Sequence, residues 1–432
     1  MSLLALLLLI LTVDPTGWHT FGGNPCHIGF ADVEFSSGDL RLLWSFDLGK
    51  HVWRYTRGTN VWSTSPVAAE VDGRVLIFVG AYDRNLYCID ALSGKEVWEF
   101  TTGGSLNFAP AFAWVKGEPT LFVVSSDRTV YAVGARDGVR RWCYETQPWS
   151  YTICEAVASS PVTGEIGGRT VLIFGIWNSD RRPVKGFQRG ELFVLDASNG
   201  EKLWSKVLSS TYLSSPAYVS MGGSPFIFIS SADGNLYCLR GETGEEIWRF
   251  TTGSEIRSSP TVAEIGGRRV VLVGTRFGTL YALDAENGGL IWSYRAGHAI
   301  DSTPAVGVVK GRTMVFFGSY DRAVHAVDGK TGRRLWRYKT GKYITASPVL
   351  GRIKGRVVVF ISSLDDKIYA LDGGSGKLIW SYKGGGRVWP YETRGENLWS
   401  SPILLASKGV PLLLFPSYDG KLYAFTDLMS QP

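Results

Sequence analysis

The chain has 432 residues with 52 Gly, 16 Trp and a formal net charge of +6. Apolar residues make up 45% and charged residues only 19%, against a usual ~25%, so the chain can bury a large core and disorder is excluded. This length ordinarily divides into two or three domains, but the Gly and Trp excess points to one unit repeated many times. Four Met and three Gln fit a thermostable source.

The first element is an unbroken apolar run from Leu3 to Val13. It is too short to span a bilayer and matches the apolar stretch of a secretory signal, with Thr12 to Gly17 as its exit. No Lys or Arg precedes it and no A-x-A site follows it, so a buried first strand is the competing reading. Residues 1–16 are thus expected to be a signal peptide or hydrophobic segment, and 17–39 an N-terminal extension. Cys26 lies too far downstream to be a lipidation site, and His19, Cys26 and His27 are too loosely spaced to imply a metal site.

From residue 40 onward one pattern recurs: Ser-Ser-Pro, an apolar run, a Gly turn, a second run, Asp-Gly, Leu-Tyr-Ala-Leu-Asp, Thr-Gly, then Trp. Pro66, Pro110, Pro161, Pro216, Pro260, Pro304, Pro348 and Pro402 open the units. Trp44, Trp98, Trp142, Trp204, Trp248, Trp292, Trp336 and Trp380 close them, the last four spacings being 44 residues each. A period of 40–50 residues with strand-like content predicts a β-propeller. Within 258–297, Val270 to Val273 reads as a strand covered on both faces, and Leu280 to Asp284 follows a turn at Phe277-Gly278. Asn287-Gly288 turns the chain again into an outer strand from Leu290 to Tyr294. Trp44 precedes the first opening Pro and no Trp follows the last, so residues 40–48 complete the final blade and close the ring. The prediction is an all-β, eight-bladed propeller of four-stranded antiparallel blades over 40–426, with a tail at 427–432.

The motif Tyr-Ala-Leu-Asp-x-x-x-Gly-x-x-x-Trp, complete at 281–292 and 369–380, resembles the PQQ-type propeller repeat; 237–248 carries it with Cys238 and Arg240 replacing Ala and Asp. The resemblance implies that each repeat Trp docks one blade on the next. It also implies two functional classes. One is the quinoprotein alcohol dehydrogenases, which bind pyrroloquinoline quinone and Ca²⁺ over one face. The other is the BamB-like, cofactor-free scaffolds of outer-membrane protein assembly. The chain has no adjacent Cys-Cys pair and no C-x-x-C-H. These departures, with its length, favour the scaffold class; no cofactor is expected, and the quinone with Ca²⁺ is the family alternative.

Cys88 and Cys238 stand where other repeats have Ala and are expected in the core. Cys143 and Cys154 flank a long connection and are a candidate disulfide. Strand parity places four enlarged connections, 50–62, 144–156, 177–190 and 383–399, on one face. They hold Trp53, Trp62, Trp149, Trp177, Trp389 and Trp399 with Tyr55, Tyr151 and Tyr391, and ten Lys or Arg (Arg57 and Arg394 among them) against five Asp or Glu. The segments around Trp53–Trp62 and Trp389–Trp399 even resemble each other. Such rings edged by cations suit an anionic or carboxylated ligand; the alternative is that they pack long loops onto the rim. The residue three before each opening Pro should face the central mouth, where Arg257 and Asp301 are expected to pair. Asp301 is a weak candidate for a general base, because a partner Arg would hold it ionised.

These observations point first to an exported, monomeric, non-catalytic propeller that binds a partner protein or an envelope glycan through the decorated face. A quinone-dependent alcohol or sugar dehydrogenase with reduced loops is the alternative, and a carbohydrate-binding propeller the next. Nucleic acid is not an expected partner, and membrane association is expected only through an uncleaved N-terminus.

Overall fold

The structure is a computed structural model, and it describes residues 19–20, 22–48, 64–146, 157–177, 190–209, 213–384, 400–417 and 419–427. Eight antiparallel sheets take up the repeats in chain order: 67–101, 111–145, 162–209, 217–251, 261–295, 305–339, 349–383 and 403–426 form blades 1 to 8. Each blade has four strands, and Arg41–Asp47 supplies the outer strand of blade 8 by pairing with Lys421–Thr426. A short extra strand, Val157–Ala158, widens blade 3. The ring is therefore closed by the N-terminal strand, as the repeat register predicts.

First strands of neighbouring blades touch around the ring, so they line the central channel. Second strands such as Arg268–Gly274 are buried beyond their first residues, while outer strands such as Leu290–Arg295 are largely open to solvent. Opening prolines and the turns between second and third strands mark an upper face. The lower face carries the hairpins between first and second strands. These are two-residue turns with both φ positive, as at Lys310 (φ 50) and Gly311 (φ 78), the geometry that matches strand twist.

The repeat motif works at the seams between blades. Trp292 Nε1 donates to the Gly329 carbonyl of the next blade at 2.8 Å. Gly332 (φ +69) approaches that indole so closely that a Cβ would lie 2.6 Å from the ring. Trp44, Trp98, Trp142, Trp204, Trp248 and Trp336 repeat the bond at 2.8–3.1 Å. Ser-Ser-Pro makes the inner half of the seam. Its first hydroxyl accepts an N–H from the blade's own second strand, as Ser258 does from Gly274 at 2.7 Å. Its second accepts the N–H of the preceding blade's equivalent residue: Ser215 from Ser160 at 3.1 Å, Ser347 from Thr303 at 3.0 Å, and Ser65 from Ser401 at 2.7 Å across the closure.

The repeat Tyr has its own task, pinning the upper turn four residues earlier. Tyr87, Tyr131, Tyr237 and Tyr369 donate to Asp83, Asp127, Asp233 and Asp365 at 2.5–2.8 Å. Blade 6 substitutes His325, whose Nε2 meets Asp321 at 3.0 Å.

The N-terminal extension, which the sequence reading left without structure, occupies the channel. Carbonyls of His19, Pro25, Cys26, Ile28 and Gly29 accept N–H groups from the first strands of blades 2, 4, 5, 6 and 7 in turn. Phe30–Phe35 then runs parallel to Val349–Ile353. Cys26 Sγ donates to the Tyr218 carbonyl at 3.3 Å, and burial pushes its thiol up to about 12. His27, 2% exposed, places Nδ1 3.0 Å from the Pro260 carbonyl. His19 lies against the Phe112 ring. Cys88 and Cys238 are buried core thiols, as expected.

Two outcomes test this packing. Gly332→Ala is expected to lower stability by about 1–3 kcal/mol in denaturant unfolding, since a Cβ meets both the indole and a left-handed φ. Burial holds the His27 imidazole down to about 4 from 6.5, the Pro260 bond opposing only part of this. The unfolded chain thus binds the extra proton between those values, and stability present above pH 6.5 is lost as pH falls toward 4, on the order of 3 kcal/mol. His27→Asn, which tolerates the φ of 57 at this position, should flatten that slope in unfolding measured from pH 7 to 4.

Candidate functional site

The strand ends that bracket the four enlarged connections all lie on the upper face: Asp47 and Val67, Glu145 and Val157, Trp177 and Gly190, Lys383 and Ile403. Trp177 ends its strand opposite Gly190 and Val157. Trp53, Tyr55, Arg57, Trp62, Trp149, Tyr151, Trp389, Tyr391, Arg394 and Trp399 lie outside the described residues, as does Cys154. Cys143 is exposed on the outer strand of blade 2.

Around the mouth, blades 5 to 7 build a stack that the sequence reading missed. Arg276, in the upper turn of blade 5, donates from Nη1 to Asp301 Oδ2 at 2.7 Å and lies over the Tyr320 ring, 5.3 Å from its centroid. Tyr320 stacks on His298 (5.9 Å, 23°) and on Tyr343 (5.5 Å, 26°). Arg322 covers Tyr343 at 5.4 Å. The tip of the blade 5 turn is Phe277, 67% exposed. It stands four residues before Tyr281, where other blades carry the Asp that pins their Tyr. Blade-by-blade alignment of that position is the signal that could have singled it out.

The expected pairing of Arg257 with Asp301 is corrected. Arg257 Nη2 reaches Glu255 at 3.3 Å, two residues earlier on its own connection, and the counter-ion of Asp301 is Arg276. Arg276 wins because its turn points directly at the sealed carboxylate, whereas Arg257 acts on it only through its charge. The Asp301 side chain is fully buried. Its Oδ1 is shut from solvent without a hydrogen bond of normal geometry among the described residues. Burial raises its pKa, and the charges of Arg276 and Arg257 with the nearby Tyr320 hydroxyl pull it part of the way back.

Pyrroloquinoline quinone with Ca²⁺ would need free cations for its carboxylates and converging oxygens for the metal. Arg257 and Arg276 are both committed to carboxylates, and no group of three metal-ligating side chains occurs among the described residues. Arg322, over the Tyr343 ring, is the stack's remaining cation, so the described part of the mouth offers that cofactor a cation but no metal-ligating group. Its ion pair instead makes a stability prediction. Arg276→Met strands a buried charge and should cost about 3 kcal/mol, most of which Arg276→Met with Asp301→Asn recovers in a double-mutant unfolding cycle.

The fold is similar to both classes that the repeat suggested. Quinohemoprotein alcohol dehydrogenase from Comamonas testosteroni matches with a TM-score of 0.68 at 14% identity, over 95% of this chain and 80% of that one. A europium-containing methanol dehydrogenase matches at 0.68 and 14%, over 97% and 99%. BamB from Moraxella catarrhalis matches at 0.59 and 16%, over 91% and 98%. Such coverage removes chain length as a criterion between enzyme and scaffold. No curated protein sequence matches the chain. The family model described as outer membrane protein assembly factor BamB matches residues 37–217, 189–266 and 265–428, nearly the whole ring. By that match, and by the seam that its repeats build, the chain belongs to the BamB-type family of PQQ-repeat β-propellers.

Proposed function

We propose that this protein is an extracytoplasmic, non-catalytic propeller whose upper face binds a partner protein. One observation carries the reading: the enlarged, aromatic and basic connections all leave from strand ends on the upper face, around a mouth where Arg257 and Arg276 are already paired with carboxylates. Rigid blades hold such loops in place while their sequences vary, which is how propellers acquire binding surfaces. Six tryptophans in four connections supply the large, low-entropy contact area that anchors interfaces. The family description supports the compartment and the non-catalytic role. An envelope glycan is the other ligand that these rings would accept.

A second reading, a quinone-dependent dehydrogenase, is favoured by the buried carboxylate of Asp301 with its bare Oδ1 at the mouth. Titration with pyrroloquinoline quinone plus Ca²⁺, followed by absorbance and a dye-linked alcohol assay, separates the two. The expected result is neither stoichiometric binding nor dye reduction; tight binding with turnover would replace the scaffold reading. Trp62→Ala with Trp389→Ala should leave thermal unfolding within a few degrees of the parent while weakening partner capture about 10-fold or more. Undiminished capture by the folded double variant would assign those rings to loop packing.

A further inference from the structure

We propose that the lower face of blades 6 to 8 is a docking surface for an anionic lipid bilayer. The observation lies in the hairpins between first and second strands. Their first turn residue is Asp72, Gly167, Gly222 and Gly266 in blades 1, 3, 4 and 5 and an isolated Lys116 in blade 2, but Lys310, Lys354 and Lys408 in the three consecutive blades 6 to 8. Each of those lysines sits at φ 49–50, a left-handed conformation that Gly, Asn and Asp adopt far more readily. The fold therefore carries strain to place a cation at each tip. Arg312 and Arg356 follow two residues later, and Lys330 adds a charge at the outer turn of blade 6.

All six of these residues are exposed. Among the described residues only Arg312 has an acidic partner, Asp328 at 3.5 Å. The acids nearby are otherwise engaged: Asp32 pairs with Arg352 at 3.3 Å, Glu34 accepts the Gly355 N–H at 2.6 Å, and Asp372 caps its own turn through Ser375. The opposite arc differs. There Arg136 is neutralised by Asp72 and Glu118 at 2.8 and 2.7 Å, and blade 4 presents Glu242 and Glu245. Lys116 of blade 2 stands alone there, so consecutive cationic tips occur only along blades 6 to 8.

The choice of a bilayer over a soluble polyanion rests on what accompanies the charges. Hairpin tips of a propeller lie in one plane, which suits a flat partner. No exposed aromatic ring interleaves the cations of this arc, as stacking on sugars or bases would require. Its rim instead carries the exposed leucines Leu378 (46%) and Leu42 (47%) at the lower ends of the outer strands of blades 7 and 8, with Leu290 (55%) at the same place on the adjoining blade 5. Cations beside exposed aliphatic side chains are the composition of an interfacial membrane contact. Among the described residues no helix is long and apolar enough to cross a membrane.

The test is co-sedimentation of the full chain with phosphatidylcholine vesicles, with and without phosphatidylglycerol, at low and high salt. The apolar run at Leu3–Val13 can bind both vesicle types, so the quantity read is the difference between them. Preferential, salt-sensitive binding to the anionic vesicles is expected. K310D/K354D/K408D should weaken it by at least about 100-fold. Asp occupies the same left-handed position at Asp72 (φ 51), so unfolding of this variant should match the parent. L290S/L378S should reduce vesicle binding while leaving retention on heparin unchanged. Equal binding to both vesicle types, or a triple lysine variant that binds as the parent does, overturns the proposal. Vesicle binding indifferent to the leucines also overturns it, and points to a soluble polyanion instead.

Discussion

Everything in this molecule depends on a seam repeated around a ring. A blade alone buries one sheet face poorly, and its neighbours supply the rest. Here the seam has an outer clasp, the indole of one blade bonded to a carbonyl of the next over a left-handed glycine, and an inner clasp of serine and threonine hydroxyls. Because the indole bond recurs at nearly the same distance in seven seams, the angle between blades is set by chemistry. Closure uses the same currency: Ser65 accepts from Ser401, and the strand Arg41–Asp47 joins the two ends of the chain.

Such a ring leaves one set of polar groups unmet. The inner edges of the first strands present backbone N–H groups to the channel, and burying them without partners is costly. The segment from His19 to Phe35 meets them, passing its carbonyls from blade to blade before pairing alongside blade 7. His27 and Cys26 are held neutral there because burial disfavours the charged form of each. With the channel occupied, recognition is left to the two faces.

Those faces differ in how their charges are used. At the upper mouth, Arg257 and Arg276 are matched by Glu255 and Asp301, and the aromatic stack of His298, Tyr320 and Tyr343 is stiffened by guanidinium groups. That arrangement makes a rigid rim around the connections on which a partner would rest. The lower arc holds three lysines without carboxylate partners among the described residues, in positions where the backbone resists them. Unmatched charge at strained sites serves something other than the fold.

Much of the architecture was legible because the repeat is periodic: the prolines, glycines and tryptophans mark strand ends and seams at fixed offsets, so blade number and ring closure followed from counting. The role of Trp292 and its counterparts came from the resemblance of the repeat to a known family, and the indole bonds across the seams bear it out. The channel segment was not, since its bonds join carbonyls to partners up to hundreds of residues away and leave no pattern in side chains. The mouth was half legible. Parity placed Arg257 and Asp301 near it, but which cation reaches a carboxylate depends on turn direction within an ångström or two, and Arg276 was the one aimed inward. The sequence alone determined the ring, because local periodicity specifies repeated neighbours. Only the tertiary structure decided what fills the channel and which charges are matched, because both are contacts between residues that the repeat does not relate.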